Sequence, residues 1–261
     1  MLNKSNIPYL SRGWSVVTGC SEIGCTADCW ARAMAHRFKK NFDPSFHPDR
    51  LADPLKARKP EVLGVSFFGD WCDKGITRGQ RFEILAVAEK NEQRDEPHTL
   101  IFLTKQAEEQ EATLKEWRDC SAAFPLEHCW FGVSVTCQRD ADERIPHLLR
   151  TPAAHRWVSA EPLVGAIDFG GIGGWLDSNR WCDFGPDVDS KEYPSLDLVI
   201  AGGESGPNAR PMDLEWVRSI RDQCNAAEVS FALKQMSGLR PVQKPELDGV
   251  MHWAIPWLSV R

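Results

Sequence analysis

The chain has 261 residues, 42% hydrophobic and 26% charged, with a formal net charge of −6. That apolar share excludes an intrinsically disordered chain. The acidic balance, with both signs interspersed, excludes a general grip on duplex phosphates, which needs a basic stripe, but not a nucleotide or flipped base held in a pocket.

Residues 1–14 contain no signal-like apolar core, and no run approaches the length of a membrane span. The expectation is a cytoplasmic protein with no membrane partner, its thiols reduced. Nine cysteines, an odd number, also argue against a complete disulfide framework.

In chain order, WSVVTG (14–19) reads as a strand, followed by a cysteine loop and a helix over 29–40. EVLGVSFFG (61–69) precedes a helix near 78–91. HTLIFLTK (98–105) precedes a helix over 107–120, and CWFGVSVT (129–136) precedes one over 139–150. HRWVSAEP (155–162) is followed by an insertion rich in Gly, Asp and Trp, at about 165–196. DLVIAGG (197–203) precedes a helix over 212–227, and VSFALKQ (229–235) closes the series. Short, nearly continuous apolar strands alternating with helices predict parallel βαβ units covered on both faces. The expected fold is α/β, a single-domain partial (β/α) barrel of about six or seven parallel strands. No long linker divides the chain.

Each strand ends in polar groups: GDWCD, TKQ, SVTC, SAEP, GGESG and LKQ. Active sites of β/α barrels are built at the C-terminal ends of their strands, so this pattern points to an enzyme. The cysteine loop follows the first strand and belongs to the same set.

Cys20, Cys25 and Cys29 are spaced Cys-x4-Cys-x3-Cys. A structural zinc site wants four closed ligands, and His36 is the nearby fourth candidate, about two helical turns beyond Cys29. Three core thiols are the plainest alternative, but they suit a loop containing Gly, Ser and Asp poorly. Three thiolates also fit a [4Fe–4S] cluster that leaves one iron open.

A three-cysteine loop after the first strand of a β/α barrel resembles the radical SAM superfamily. Its usual spacing is one residue shorter in each gap, and here the aromatic Trp30 follows the third cysteine instead of preceding it. VTGCSEIGCTADCWARAMAHR, FLTKQ, WFGVSV, ADERIPHLL, WVSAEPLVGAIDF, VIAGGESGPNARPM, WVRSIRDQC and FALKQ together resemble a phage and prophage family with a three-cysteine motif. The superfamily resemblance implies that Cys20, Cys25 and Cys29 hold three irons and that the fourth chelates S-adenosylmethionine (SAM). Reductive cleavage would then yield a 5′-deoxyadenosyl radical. An electron donor such as flavodoxin or ferredoxin is implied as a partner. The phage resemblance suggests a hypermodified pyrimidine nucleotide in phage DNA as substrate, with host cytoplasm as the location.

The remaining candidates carry ordinary readings beside functional ones. Asp70 is expected at the SAM amino group, with a turn or cap role as its alternative; Asp73 is expected as a cap. Ser134 is expected at the SAM ribose or carboxylate and Glu161 at the ribose hydroxyl pair, Glu161 having a structural salt bridge, with Arg210 as a candidate partner, as its alternative. Gly202 and Gly203 let backbone approach a cofactor closely. Trp30 and Trp71 are expected to stack on adenine or a substrate base. Cys72, Lys234 and Glu204 are candidate catalytic groups, and Lys105 and Arg210 candidate substrate ligands.

Overall fold

A computed structural model describes residues 2–21, 29–39, 41–170, 174–176 and 195–259. Its contacts divide the chain into two compact units: 1–132 with 151–155, and 133–150 with 156–261.

In the first unit, β1 (Asn3–Lys4) pairs antiparallel with β2 (Arg12–Trp14). β3 (Val17–Thr18) pairs antiparallel with β4 (Ser45–Phe46) in a separate ribbon, and α1 (Trp30–Arg37) lies between them in sequence. After α2 (Asp53–Lys56), β5 (Val62–Val65) runs parallel to β2. α3 (Arg78–Glu92) follows, then β6 (Thr99–Thr104), parallel to β5, α4 (Ala107–Cys120) and β7 (Cys129–Val135). β7 passes from this unit into the second. The strand order here is β1-β2-β5-β6-β7.

The helix starts are encoded locally. Thr77 and Gln80 form a reciprocal capping box at α3, satisfying two N–H groups that the helix itself leaves unbonded. Every residue of β5 and β7 is buried, as expected of strands covered on both faces. The core centres on Trp71, Phe102 and Phe131, with ring centroids 4.6–6.1 Å apart.

In the second unit, the end of β7 leads to α5 (Gln138–Arg150) and β8 (His155–Ala160). β9 (Leu198–Gly202) is parallel to β8, and β10 (Ser230–Gln235) is parallel to β9, with α6 (Leu214–Ala226) between them. The order is β7-β8-β9-β10. A small hairpin, β11 (Glu246–Leu247) and β12 (Val250–Met251), and the short α7 (Pro256–Ser259) complete it. Trp157 packs edge-on to Trp257 at 5.7 Å in its core.

The chain is thus α/β with a mostly parallel sheet, as expected. The first predicted strand is the main correction. WSVVTG does not run as one strand: sheet pairing ends at Trp14, and Val17–Thr18 joins the separate ribbon. Ser66, held at φ 58°, accounts for the break; its N–H donates to the Trp14 carbonyl, and its Oγ accepts from the Val17 N–H. Of the 165–196 insertion, residues 171–173 and 177–194 lie outside the described residues.

Candidate functional site

The first unit gathers the cysteine loop, the β5 end and the β6 end. Gly19 sets the loop's approach. It adopts φ 76°, and a Cβ there would sit 2.3 Å from the Asp43 carbonyl oxygen. Only glycine meets both constraints. Gly19 bridges Gly69 beyond β5, where an added Cβ would lie 2.7 Å from the Gly19 carbonyl oxygen. The Gly19 and Cys20 N–H groups donate to the Phe68 and Phe42 carbonyls, at 3.0 and 3.1 Å.

Cys20 and Cys29 are half-buried and pack on one apolar wall, Ala31, Ala35 and Phe42, which Phe68 also borders. Cys29 precedes α1 without a side-chain cap bond. Cys25 lies outside the described residues. None of the seven described cysteines is in a disulfide. His36, the candidate fourth zinc ligand, is exposed on α1. Among the described residues no three His, Cys, Asp or Glu side chains gather as a metal set.

Asp73 holds the start of this loop, at Ser21, a role that sequence reading missed. Its Oδ2 accepts from the Ser21 N–H at 2.7 Å and the Ser21 Oγ at 2.9 Å, while Oδ1 accepts from the Gly75 N–H at 2.8 Å. It is a turn acceptor and not the expected helix cap, which Thr77 supplies at α3, and its other oxygen pins the residue after Cys20. The only sequence signal was a second acid three residues after Asp70.

Asp70 joins two strand ends. Oδ1 accepts from the Thr104 Oγ at 2.6 Å and the Cys72 N–H at 3.0 Å; Oδ2 accepts from the Lys105 N–H at 2.9 Å. Burial pushes its carboxyl up to about 6, against the lowering effect of those donors and with some help from the Asp73 charge. Because the folded value lies above the ordinary 3.8, native protein holds this proton longer than unfolded protein does. Its stabilising contribution is full below about 3.8 and is lost as pH rises through about 6, a change of about 3 kcal/mol. Denaturant unfolding from pH 4 to 7 should therefore show a loss that Asp70→Asn abolishes, and the Asp70 carboxyl carbon should titrate near pH 6 by NMR. A midpoint near 4 would refute this.

Other expected groups in this unit have separate environments. Trp71 is fully buried, edge-on to Phe102 at 5.0 Å, so no ring face is open to a base. Cys72 is also fully buried, and burial pushes its thiol well above the ordinary thiol range. Both side chains belong to the apolar core. Trp30 is half exposed and meets Phe68 edge-on at 5.9 Å. Lys105 follows β6 and is half-buried.

The second unit gathers the polar ends of β7, β8, β9 and β10. The Glu161 Oε1 pairs with the Lys234 Nζ at 2.8 Å, and its Oε2 accepts from the Ser159 Oγ at 3.1 Å. The Ser134 Oγ donates to the Glu161 carbonyl at 3.2 Å. A Cβ at Gly202 would lie 2.7 Å from the Glu161 Oε1, and one at Gly203 would lie 2.4 Å from the Ser237 nitrogen. Both glycines are therefore needed for close packing within the protein. The alternative reading of Glu161, a structural salt bridge, is what the structure shows, with Lys234 and not Arg210 as the partner. Lys234 takes Glu161, while Arg210 grips Glu204 through Nε–Oε2 at 2.8 Å, Nη2–Oε1 at 3.0 Å and its backbone N–H. The Arg210 guanidinium holds the Glu204 carboxyl below the usual range.

The fold and site define an α/β protein with a mostly parallel sheet, a cysteine loop leading into its first helix and charged groups at its strand ends. Its family model matches residues 4–255, and the chain belongs to the family described as "Protein of unknown function (DUF5131)". No curated protein matches it. Among solved structures it is similar to "Spore photoproduct lyase complexed with dinucleoside spore photoproduct", at 13% identity and TM-score 0.49. It is also similar to a single-site mutant of that lyase with the same ligand, at 14% identity and TM-score 0.49. Each match covers 85% of this chain and 63% of the other, so the chain spans less than two thirds of their length.

Proposed function

We propose that the protein is a radical SAM enzyme with one three-cysteine [4Fe–4S] site, acting on a modified nucleotide in phage DNA. The observation that carries this reading is the placement of Cys20 and Cys29 against one wall, with the segment at Cys20 fixed by Gly19 and by the Asp73–Ser21 bonds. Thiolates are the usual ligands of such clusters, and two of the three motif thiols are brought to a common apolar border. Cys20, Cys25 and Cys29 would hold the cluster. With SAM bound, the cluster would supply a 5′-deoxyadenosyl radical for hydrogen abstraction.

The chain's own groups have definite tasks in this reading. Asp73 positions the loop through Ser21. Asp70, ionised above about pH 6, presents negative charge suited to the SAM amino group while its three donors keep it oriented. Trp30 offers an exposed ring beside Cys29 for adenine or a base. In the second unit, Glu161 and Lys234 form an ion pair able to exchange partners with ribose hydroxyls and phosphate.

The test is to incubate anaerobic, reduced protein and SAM with modified phage DNA, plain DNA and a peptide panel, then digest and compare masses. The expected result is 5′-deoxyadenosine together with an altered nucleoside made only from modified DNA. Iron-loaded protein that never cleaves SAM would overturn the radical reading. Conversion of a peptide alone would overturn the substrate reading.

A further inference from the structure

The geometry points to the outer face of α1 as a docking ridge for single-stranded nucleic acid. Trp30, Met34 and Phe38 are 50%, 44% and 64% exposed. Successive steps of four residues keep them along one side of the helix, over about 12 Å. Ala31 and Ala35 take the adjoining side of the helix, roughly 80° around from the row, and are buried. Large apolar groups displayed in a row, with small ones turned inward, invert the pattern of a helix that only covers a core.

Charge gives the row a partner. Arg37 is exposed beside it, His36 and Lys39 are exposed elsewhere on the same segment, and Arg32 lies over the Phe42 ring at 5.3 Å. Residues 29–39 contain no acid, so this segment carries three formal positive charges in a chain of net −6. Rings that can stack on bases, interleaved with cations for phosphates, are the equipment of single-strand binding surfaces. A stable protein partner would need roughly 800 Å² from this side, more than one eight-residue helix offers. A single strand needs only a few rings and cations. Duplex DNA hides its base faces and would leave the ring row unused.

The inference rests on the nucleic-acid part of the proposed function and adds where the strand lies. Its test needs neither SAM nor turnover. Anisotropy of a fluorescein-labelled twelve-residue oligo(dT), titrated with anaerobically purified full-length protein, should show binding stronger than to a duplex of equal length. Trp30→Ala should weaken it roughly 5- to 100-fold and Trp30→Phe much less. R37Q and K39Q should each lower the salt slope by about 0.7. Far-UV circular dichroism and thermal melts of each variant establish folding, and Phe38→Ala serves as a second probe of the ridge. Unchanged oligo(dT) affinity in Trp30→Ala and Phe38→Ala would overturn the inference. So would equal binding of polyglutamate through the same residues, which would mark an acidic protein as the partner. If modified DNA is converted while these variants bind normally, the ridge alone fails. If the ridge binds but no DNA is converted, the proposed reaction alone fails.

Discussion

On the proposed radical SAM reading, Cys20→Ala and Cys29→Ala are each expected to lower iron from about four per chain to well below one, where Cys120→Ala leaves it unchanged. The contrast follows from position. Cys20 and Cys29 border the same wall at the two ends of the motif. Cys120 is exposed at the end of α4, its Sγ donating to the Glu116 and Trp117 carbonyls. A cluster with one open iron depends on all of its thiolates and cannot lose one without falling apart. The substitutions should leave the fold intact. The backbone at the start of the motif is held by Gly19, by the Cys20 N–H and by Asp73, none of which needs the Cys20 or Cys29 sulfur. Iron, sulfide and zinc analysis of anaerobic protein, with melting curves, measures both halves of the claim. Stoichiometric zinc in colourless protein, or full iron in Cys20→Ala, would remove the cluster from the account.

The sequence made the alternation of strands and helices legible because the strand runs are short and continuously apolar. β6, β7, β9 and β10 fall inside the segments read as strands, and α3 and α4 begin where the sequence places them, at Arg78 and Ala107. The departure of Val17–Thr18 into its own ribbon was not legible. It depends on Ser66, about fifty residues away, reaching back to Trp14 and Val17. The same applies to the site. Three cysteines in one loop announce themselves, whereas Asp73 becomes a loop anchor only when the β5 end is laid beside Ser21. Trp71 shows the opposite case. Adjacent to Asp70 in sequence, it projects into the core with Phe102, since neighbouring residues in a turn can point to opposite sides.

Removing one member of the Glu161–Lys234 pair in the second unit should be strongly destabilising. The side chains are 11% and 18% exposed and meet at 2.8 Å. Glu161 is enclosed further by the Ser159 hydroxyl and by Gly202, whose missing side chain leaves room for Oε1. Lys234→Met takes the ammonium from a carboxylate with little access to water, a change that typically costs about 3–5 kcal/mol. For a chain of this length that lowers the melting temperature by on the order of 10 °C. The double variant Glu161→Gln, Lys234→Met removes both charges and should recover much of the loss, because a buried pair replaced by neutral groups is often close to neutral. Differential scanning calorimetry on the two single variants and the double variant gives the coupling directly. A cost below about 1 kcal/mol for each single change, with simple additivity, would mean that water screens the pair as it does exposed ones. A strong coupling has a functional consequence. A phosphate drawing Lys234, or a hydroxyl pair drawing Glu161, must supply in exchange most of what the pair loses, so ligands without such polar groups would be rejected.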